Sequence, residues 1–236
     1  MKLTIVIPVY NEEKTVAQVL KKVTQVKFKD ITKEIIVVDD GSKDRTLAKI
    51  QALHLRTIKL ISHKKNQGKG AAVRTGIKKA TGDYIVIQDA DLEYNPEDIK
   101  KLLEPIQNKT AEVVYGTRLK RLPNFSRDER TLQFFSHYVG NKILSFITSI
   151  LYFHWVTDME CCYKLFPKKA LKGTVLRAHG FEFEPEITAK LLKKGYKMKE
   201  VVITTNPRGH NEGKKLNGLK EGPKALWTLL KYRFID

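Results

Sequence analysis

The sequence has few cysteines, no long apolar run and no signal segment. Its two cysteines, Cys161 and Cys162, are adjacent, an arrangement that does not suit an ordinary structural disulfide. This favours a reducing, cytoplasmic setting. No uninterrupted apolar run reaches the roughly 18–20 residues that a membrane-spanning helix needs. The chain opens directly on a strand pattern rather than on a signal sequence, so we expect neither a signal peptide nor a transmembrane segment.

Acidic residues are scarce relative to basic ones. The 236-residue chain has 26 Asp and Glu against 44 Lys and Arg, a formal net charge of +18. Such an excess suits nucleic acid, an anionic membrane or a phosphorylated substrate, but a lysine-rich solvated surface would give the same value. Hydrophobic content of 42% and charged content of 30% are those of a folded domain. Charge alone does not decide the partner.

The first half of the chain alternates between apolar strands and amphipathic helices. Buried strand patterns are predicted at 3–10, 34–38, 57–61, 85–88 and 113–116. Helices are expected to begin near Asn11 and Ser42, and Asn95 followed by Pro96 is a strong helix start. This order predicts an α/β fold with a right-handed, mostly parallel sheet of nucleotide-binding type, flanked by helices.

Polar clusters follow three strands of this predicted sheet, at the point where each strand ends. They are Pro8-Val9-Tyr10-Asn11-Glu12, Asp39-Asp40-Gly41-Ser42 and Asp89-Ala90-Asp91. In sheets of this type ligands bind beyond the carboxyl ends of the strands. One polar strand end is ordinary, whereas three directed at one crevice predict a binding site.

The third cluster carries three acids at alternate positions, Asp89, Asp91 and Glu93. In an extended chain alternate side chains share a face, so these carboxylates are predicted to converge at the end of a strand. Three close carboxylates repel one another unless a cation lies among them, and oxygen ligands suit Mg²⁺ or Mn²⁺. A divalent ion in this place typically binds a diphosphate. The alternative is a solvated turn with spare acids.

The second half differs in character. A basic segment at 118–130 precedes an apolar, aromatic stretch at 131–156, which is read either as interfacial helices or as a buried pair of core helices. A short strand at 163–166, a helix at 181–194, a strand at 199–204, a Gly- and Lys-rich loop at 207–218 and a basic helix at 224–235 follow. With no repeat or linker, this half is expected to pack on the first.

Four motifs resemble glycosyltransferase family 2. They are Ile-Pro-Val-Tyr-Asn-Glu-Glu (7–13), Val-Val-Asp-Asp-Gly-Ser (37–42), Asn-Gln-Gly-Lys-Gly (66–70) and Asp-Ala-Asp (89–91). The similarity is greatest to the dolichyl-phosphate mannose synthase and polyprenyl-phosphate glucosyltransferase branch. It implies a GT-A fold, a nucleotide-diphosphate sugar donor, Mg²⁺ or Mn²⁺, and inversion at the anomeric carbon. It also implies a nucleotide-sugar-binding half, 1–120, and a helical, basic acceptor-binding and membrane-proximal half, 121–236, in a single domain.

The resemblance assigns roles to particular residues. Donor binding falls to Pro8, Tyr10, Glu12, Asp39, Gly41, Lys69, Arg74, Asp89 and Ala90, and the metal to Asp89, Asp91 and Glu93. Asp39 would accept a hydrogen bond from the base, while Lys69 and Arg74 would supply positive charge near the donor. Glycines 68 and 70 would let the backbone approach a ligand closely, although an ordinary flexible turn is the simpler interpretation.

The catalytic candidates are Asp158, Asp91, Arg118 and Arg208. Asp158 is the proposed base if the acceptor is a hydroxyl. A phosphate acceptor is already an anionic nucleophile, and Asp158 would then only position the sugar or a cation. Arg118, Arg130 and the loop from Arg208 to Lys215 offer cations for such a phosphate. His210 is a further metal-ligand candidate or an ordinary surface histidine.

The leading hypothesis is a metal-dependent, inverting transferase that moves a hexose from a UDP- or GDP-sugar to a polyprenyl phosphate. It would act at the cytoplasmic membrane face, docked peripherally or on a membrane-protein partner. The alternatives are a family 2 enzyme with a soluble glycan or other hydroxyl acceptor, a nucleotidyltransferase, and a basic nucleic-acid-binding domain. Nucleic acid is disfavoured because the sequence shows no zinc-finger, helix-turn-helix or RNA-binding motif, and the strand-exit acids would repel a phosphate backbone.

Overall fold

The computed structural model describes residues 1–118, 132–206 and 218–235. The strands are β1 (Lys2–Val9), β2 (Thr32–Asp39), β3 (Ile58–Ser62), β4 (Tyr84–Ile87), β5 (Val113–Thr117), β6 (Lys164–Pro167) and β7 (Met198–Val202). The helices are α1 (Val16–Gln25), α2 (Thr46–Ala52), α3 (Lys69–Lys79), α4 (Ile99–Gln107), α5 (Leu132–Tyr152), α6 (Phe183–Lys193) and α7 (Gly218–Phe234).

The seven strands form one sheet in the order β3-β2-β1-β4-β6-β5-β7. All neighbouring pairs are parallel except those of β6, which runs antiparallel to both β4 and β5. The predicted α/β fold with a mostly parallel sheet is confirmed, but the antiparallel insertion of β6 was not foreseen. Strands from 1–120 and from 121–236 lie side by side in this sheet. The assignment of donor and acceptor roles to the two halves stays a prediction.

The central strands form because continuous apolar runs leave no polar face for solvent. In β1 every residue from Leu3 to Val9 is buried, and Ile35 to Asp39 of β2 are buried too. A strand covered by helices on both faces has this pattern. Helix α1 covers one face with Val16, Val19, Leu20 and Val23. Burial of each such side chain stabilises the fold by roughly 1.5–3 kcal/mol.

Of the helix starts predicted at Asn95 and Asn11, the structure confirms the first and not the second. The Asn95 side chain accepts a hydrogen bond from the Glu97 N–H at 3.2 Å and caps the turn that leads into α4, as predicted. Asn11 was expected to cap α1, but that helix begins only at Val16. Asn11 has a φ of 48° and its side chain accepts the Lys43 N–H at 2.8 Å, so it joins the exits of β1 and β2 instead.

Among the described residues of the apolar stretch 131–156 there is one helix, α5 (Leu132–Tyr152), and not a buried pair. Its polar residues Asn141, Ser145 and Thr148 are buried, while Ile143 and Phe146 are more than half exposed. The interpretation as a pair of core helices is therefore wrong. Over the described ranges, none of the helices combines the length and the apolarity that crossing a membrane would require.

Candidate active site

The exits of β1, β2 and β4 meet at one edge of the sheet. Val9 pairs with Asp39 in the parallel register of β1 and β2, and the Gln88 N–H donates to the Val6 carbonyl at 2.9 Å. The Thr15 hydroxyl lies 2.8 Å from both the Glu12 carboxylate and the Ala90 carbonyl. The three polar clusters singled out in the sequence therefore form one site.

Asp39 ends β2 as a buried carboxylate with an unmet hydrogen-bonding need. Its side chain is 2% exposed, and its Oδ1 has no hydrogen-bond partner among the described residues. Pro8, also buried, pairs with Val38 in the adjacent register position. A buried acceptor without a donor costs free energy, typically about 1–3 kcal/mol. A ligand that brings an N–H or O–H to Asp39 would remove that cost, which is what a nucleobase or ribose can do.

The neighbouring acid, Asp40, organises the loop that borders this site. Its carboxylate accepts the N–H groups of Gln67 at 3.0 Å and Gly68 at 2.7 Å, and it lies 2.6 Å from Nδ1 of His63. Gly41 has a φ of +69°, and a Cβ there would lie 2.6 Å from the Lys65 carbonyl carbon. The sequence placed Asp40 in a polar cluster but did not reveal this role. The only available signal was its place beside Asp39 at a strand end.

The Gly68-Lys69-Gly70 segment is a fixed packing contact, not a flexible turn. The N–H of Gly70 donates to the Gly180 carbonyl, and the N–H of Ala71 to the His179 carbonyl, both at 3.1 Å. A Cβ on Gly68, whose φ is +98°, would lie 2.3 Å from the His179 oxygen. These glycines were expected to let the backbone approach a ligand closely. In the structure they instead let it pack against the backbone of residues 178–180.

Lys69 places a positive charge at the end of β4. Its ammonium is 2.9 Å from Oδ1 of Asp89 and 3.5 Å from Oε1 of Glu184, whose other oxygen is 2.6 Å from the Lys164 ammonium. Burial disfavours the charge, but the carboxylates of Asp89 and Glu184 outweigh it and raise the pKa of Lys69 well above its usual value. Lys69 thus stays protonated at physiological pH. Arg74, also expected near the donor, donates to the Leu176 carbonyl at 3.0 Å.

The acids at 89–93 are not arranged as the sequence pattern predicted. Strand β4 ends at Ile87, and Leu92 has a φ of 65°, so the segment bends and the alternation of an extended chain does not apply. Oδ1 of Asp91 accepts the Glu93 N–H at 3.1 Å. No group of three His, Cys, Asp or Glu residues suited to a metal occurs in the parts of the chain that the structure describes. The predicted convergence of the three carboxylates is therefore wrong.

Two of those acids still fit a divalent ion. Mg²⁺ is commonly bound by one or two carboxylates together with substrate phosphates and waters, so three protein ligands are not required. Asp89 and Asp91 follow the strand exit, and the contact of Asp89 with Lys69 shows that this position favours a cation. Glu93 is the member of the predicted metal set with the least support. The donor set suits Mg²⁺ or Mn²⁺ when a diphosphate completes it.

Asp158 is saturated with hydrogen bonds. It is fully buried and accepts four: from Nε, a terminal nitrogen and the backbone N–H of Arg118, each at 2.8 Å, and from the Asn141 amide at 2.7 Å. Burial tends to raise its pKa, but the Arg118 charge prevails and lowers it. The remaining terminal nitrogen of Arg118 donates to the Tyr94 hydroxyl at 3.1 Å. Such a carboxylate is a poor base, so the geometry favours the positioning role for Asp158. Arg208, Arg130 and His210 lie outside the described residues.

Glu160 is a partly buried acid that sequence reasoning did not single out. Burial and the nearby Glu184 raise its pKa to about 7, and its Oε1 has no hydrogen-bond partner within the described structure. Sequence position alone could not reveal it, because the shift depends on Glu184, which is distant in the chain.

We expect Glu160→Gln to raise the free energy of unfolding by an amount that grows as the pH rises. The folded pKa lies above the unfolded value of about 4.5, so the wild type loses stability as pH rises from about 4.5 to about 7. Relative to the variant, that loss reaches about 3 kcal/mol above pH 7. Urea unfolding at pH 5 and pH 8 measures it. An advantage of the variant that is equal at both pH values would show that Glu160 has an ordinary pKa.

An open hollow in the surface lies away from the strand exits. A cavity of about 710 Å³ lies at the opposite edge of the sheet, lined by residues before β4 and after β6 that include Asp83, Tyr84 and Lys168. It contains none of the strand-exit acids. The site lies instead at the strand exits, where charged groups converge and the Asp39 carboxylate oxygen lacks a hydrogen-bond donor within the described residues. Such groups can bind and orient a ligand, whereas the described residues that line the hollow form no comparable cluster.

The chain as a whole is similar to known proteins. Residues 4–174 match the family model described as glycosyl transferase family 2. The UDP-N-acetylglucosamine–dolichyl-phosphate N-acetylglucosaminyltransferase of Methanococcus voltae is 34% identical over 85% of this chain and 84% of its own. The dolichol-phosphate mannosyltransferase of Pyrococcus furiosus is 31% identical over 98% of this chain and 64% of its own.

The fold also has solved counterparts. Glucosyl-3-phosphoglycerate synthase from Mycobacterium tuberculosis, crystallised with Mn²⁺, UDP and phosphoglyceric acid, superposes with a TM-score of 0.73 at 18% identity. The match covers 100% of this chain and 79% of that one. The fold is GT-A, as the sequence resemblance implied. The chain belongs to glycosyl transferase family 2 and is a glycosyltransferase.

Proposed function

We propose that this enzyme transfers a hexose from a nucleotide-diphosphate sugar to a polyprenyl phosphate, with inversion and with help from a divalent metal. The observation that carries the choice of acceptor is the saturated, buried state of Asp158. A hydroxyl acceptor needs a base in that region, whereas a phosphate monoester is already anionic near neutral pH and needs none. Two curated relatives named for dolichyl or dolichol phosphate support the same choice.

The donor half of the reaction rests on the strand-exit residues. The unpartnered oxygen of Asp39 is available to a nucleobase N–H, and Lys69 holds a positive charge beside Asp89. Asp89 and Asp91 would hold Mg²⁺ or Mn²⁺, which acts as a Lewis acid on the departing diphosphate. Lys69 would add to that stabilisation by exchanging its contact with Asp89 for a phosphate oxygen.

The transfer itself breaks one bond and forms one. An oxygen of the acceptor phosphate attacks the anomeric carbon from the face opposite the diphosphate, and the bond from that carbon to the diphosphate oxygen breaks with its electron pair. The nucleoside diphosphate leaves and the configuration inverts. Arg118, held by Asp158 (whose carboxylate also accepts from Asn141), is placed to bind the acceptor phosphate, since a guanidinium held by a carboxylate keeps its remaining donors in a fixed direction.

A soluble hydroxyl acceptor is the second candidate, and one observation favours it. Glu160, with a pKa of about 7, has the acidity of an effective general base near neutral pH. Activity on water-soluble acceptors that Glu160→Gln abolishes, with none on prenyl phosphates, would choose this alternative. In the lipid-phosphate reaction we propose that the enzyme works peripherally at the cytoplasmic membrane face, alone or beside a membrane-protein partner.

Titration calorimetry with UDP and GDP, with and without Mn²⁺, tests the donor half directly. We expect one of the two nucleotides to bind at least 10-fold more tightly when the metal is present, and the preferred base then identifies the donor. Incubation with the matching sugar nucleotides and a short prenyl phosphate follows. Absence of binding for both nucleotides would overturn the proposal.

A further inference from the structure

Helix α5 has its polar side inward and its apolar side outward. Asn141, Ser145 and Thr148 are buried, and they bond to Asp158, to the Met159 N–H and to the Leu144 carbonyl. The outward side carries Ile143, Phe146 and Ile150, which recur at helical spacing and are each more than half exposed. A helix whose outer face meets only water has the reverse pattern.

The exposed apolar surface continues from α5 onto α7. Phe153 and Trp155, just past the end of α5, are 84% and 71% exposed. On α7, Trp227 and Phe234 are 63% and 74% exposed. The two helices are joined where the Arg233 guanidinium lies 5.4 Å from the centre of the Phe153 ring. We call this surface the α5–α7 face, composed of Ile143, Phe146, Ile150, Phe153, Trp155, Trp227, Phe234 and Ile235.

The charges on the two helices are almost all positive. Helices α5 and α7 carry five basic residues, Lys142, Lys220, Lys224, Lys231 and Arg233, and a single acid, Glu221. Apolar and aromatic side chains flanked by Lys and Arg are typical of helices that lie in the boundary between lipid headgroups and acyl chains. A partner protein with an acidic rim would also tolerate the lysines, but the two exposed tryptophans are the side chains that favour a bilayer interface.

We propose that the α5–α7 face binds an anionic bilayer and lies in its headgroup region. The contact would serve the proposed function, on which this last step rests, because the same helix presents Asn141 on its inner side to Asp158. Arg118 would then be about one helix diameter, roughly 10 Å, from the lipid contact.

Sedimentation with vesicles tests the face without any turnover. We expect wild-type protein to bind vesicles of mixed phosphatidylglycerol and phosphatidylcholine, and to bind phosphatidylcholine alone at least 10-fold more weakly. The double variant Phe146→Ser/Ile150→Ser removes two half-exposed side chains and is expected to reduce partitioning by about 30-fold or more. The matched control is Val175→Ser/Val202→Ser, which alters two exposed apolar residues outside α5 and α7 and is expected to change partitioning less than twofold.

Two outcomes would overturn the proposal. One is unchanged vesicle binding in Phe146→Ser/Ile150→Ser. The other is a wild type that does not bind vesicles. If that wild type sediments as a dimer and the variant as a monomer, the face is a contact between copies of the chain. Nucleotide calorimetry on the same samples separates failure of the docking face from failure of the proposed function. Metal-dependent binding of the nucleotide with no vesicle binding would refute the docking face and leave the proposed donor chemistry standing.

Discussion

Replacing Asp91 by asparagine is expected to lower the rate of sugar transfer by about 10²–10³-fold while leaving the fold intact. Asp91 follows β4 at the edge where the polar strand exits meet, is half-buried, and belongs to the pair of acids that suits a divalent ion. The asparagine keeps the side-chain shape and a carbonyl oxygen for the Glu93 N–H, but it removes the charge. The loss should fall mainly on kcat, because the leaving diphosphate gains charge as the reaction proceeds.

The measurement is steady-state transfer with saturating donor, alongside calorimetry of nucleotide and Mn²⁺. Asp30→Asn is the matched control, since Asp30 is an exposed acid before β2, at the other edge of the sheet, and its φ of 58° is one that asparagine accepts. It should retain nearly full activity. An Asp91→Asn enzyme with wild-type kcat would remove Asp91 from the catalytic site.

The second large effect is expected at the Arg118–Asp158 pair. Asp158→Asn leaves the Arg118 guanidinium largely buried and without its anion, and the free energy of unfolding should fall by about 3 kcal/mol. That is the low end for a broken buried pair, because Arg118 keeps some solvent contact. The pKa of Asp158 is lowered in the folded state, so this deficit is present above about pH 4 and shrinks as pH falls through the folded pKa.

Kinetics separate positioning from base catalysis at the same residue. If Asp158 only orients Arg118, Asp158→Asn raises the KM for the acceptor phosphate about 10-fold or more and leaves the shape of the pH–rate profile unchanged. Loss of the acidic limb of that profile would instead mark Asp158 as the base. The double variant Asp158→Asn/Arg118→Met removes the uncompensated charge, so it should recover stability without recovering activity.

The parts of the fold that local pattern controls could be predicted. Strands β1, β2 and β4 are apolar runs ended by polar residues, and in a parallel sheet the carboxyl ends of the strands lie at the same edge. The Asp39 and Asp89 exits were recognised for that reason. A strand was predicted at β6, but its antiparallel direction was not. The four residues of a strand carry no information on the direction in which it runs relative to its neighbours.

The rest depended on contacts between distant residues. The bend that separates Asp89, Asp91 and Glu93 follows from the early end of β4, and a strand boundary is the least certain feature of any sequence pattern. The saturation of Asp158 requires Arg118, forty residues earlier. The inverted orientation of α5 could not be foreseen either, since the helix is apolar in composition and only tertiary contacts decide which side is covered.

The antiparallel β6 has a consequence for the order in which the chain can fold during synthesis. Within the described ranges, strand β5 pairs with β6 and β7 alone, and both follow it in the chain, so a nascent chain that ends near residue 120 offers it no partner among them. Strand β4 is equally open on one side until residues 164–167 emerge. Every residue of β5 is buried in the finished protein. For the time taken to translate about 50 residues, roughly 2.5–10 s, the ribosome therefore displays an apolar strand that lacks both of its partners, the point at which a holding chaperone would act.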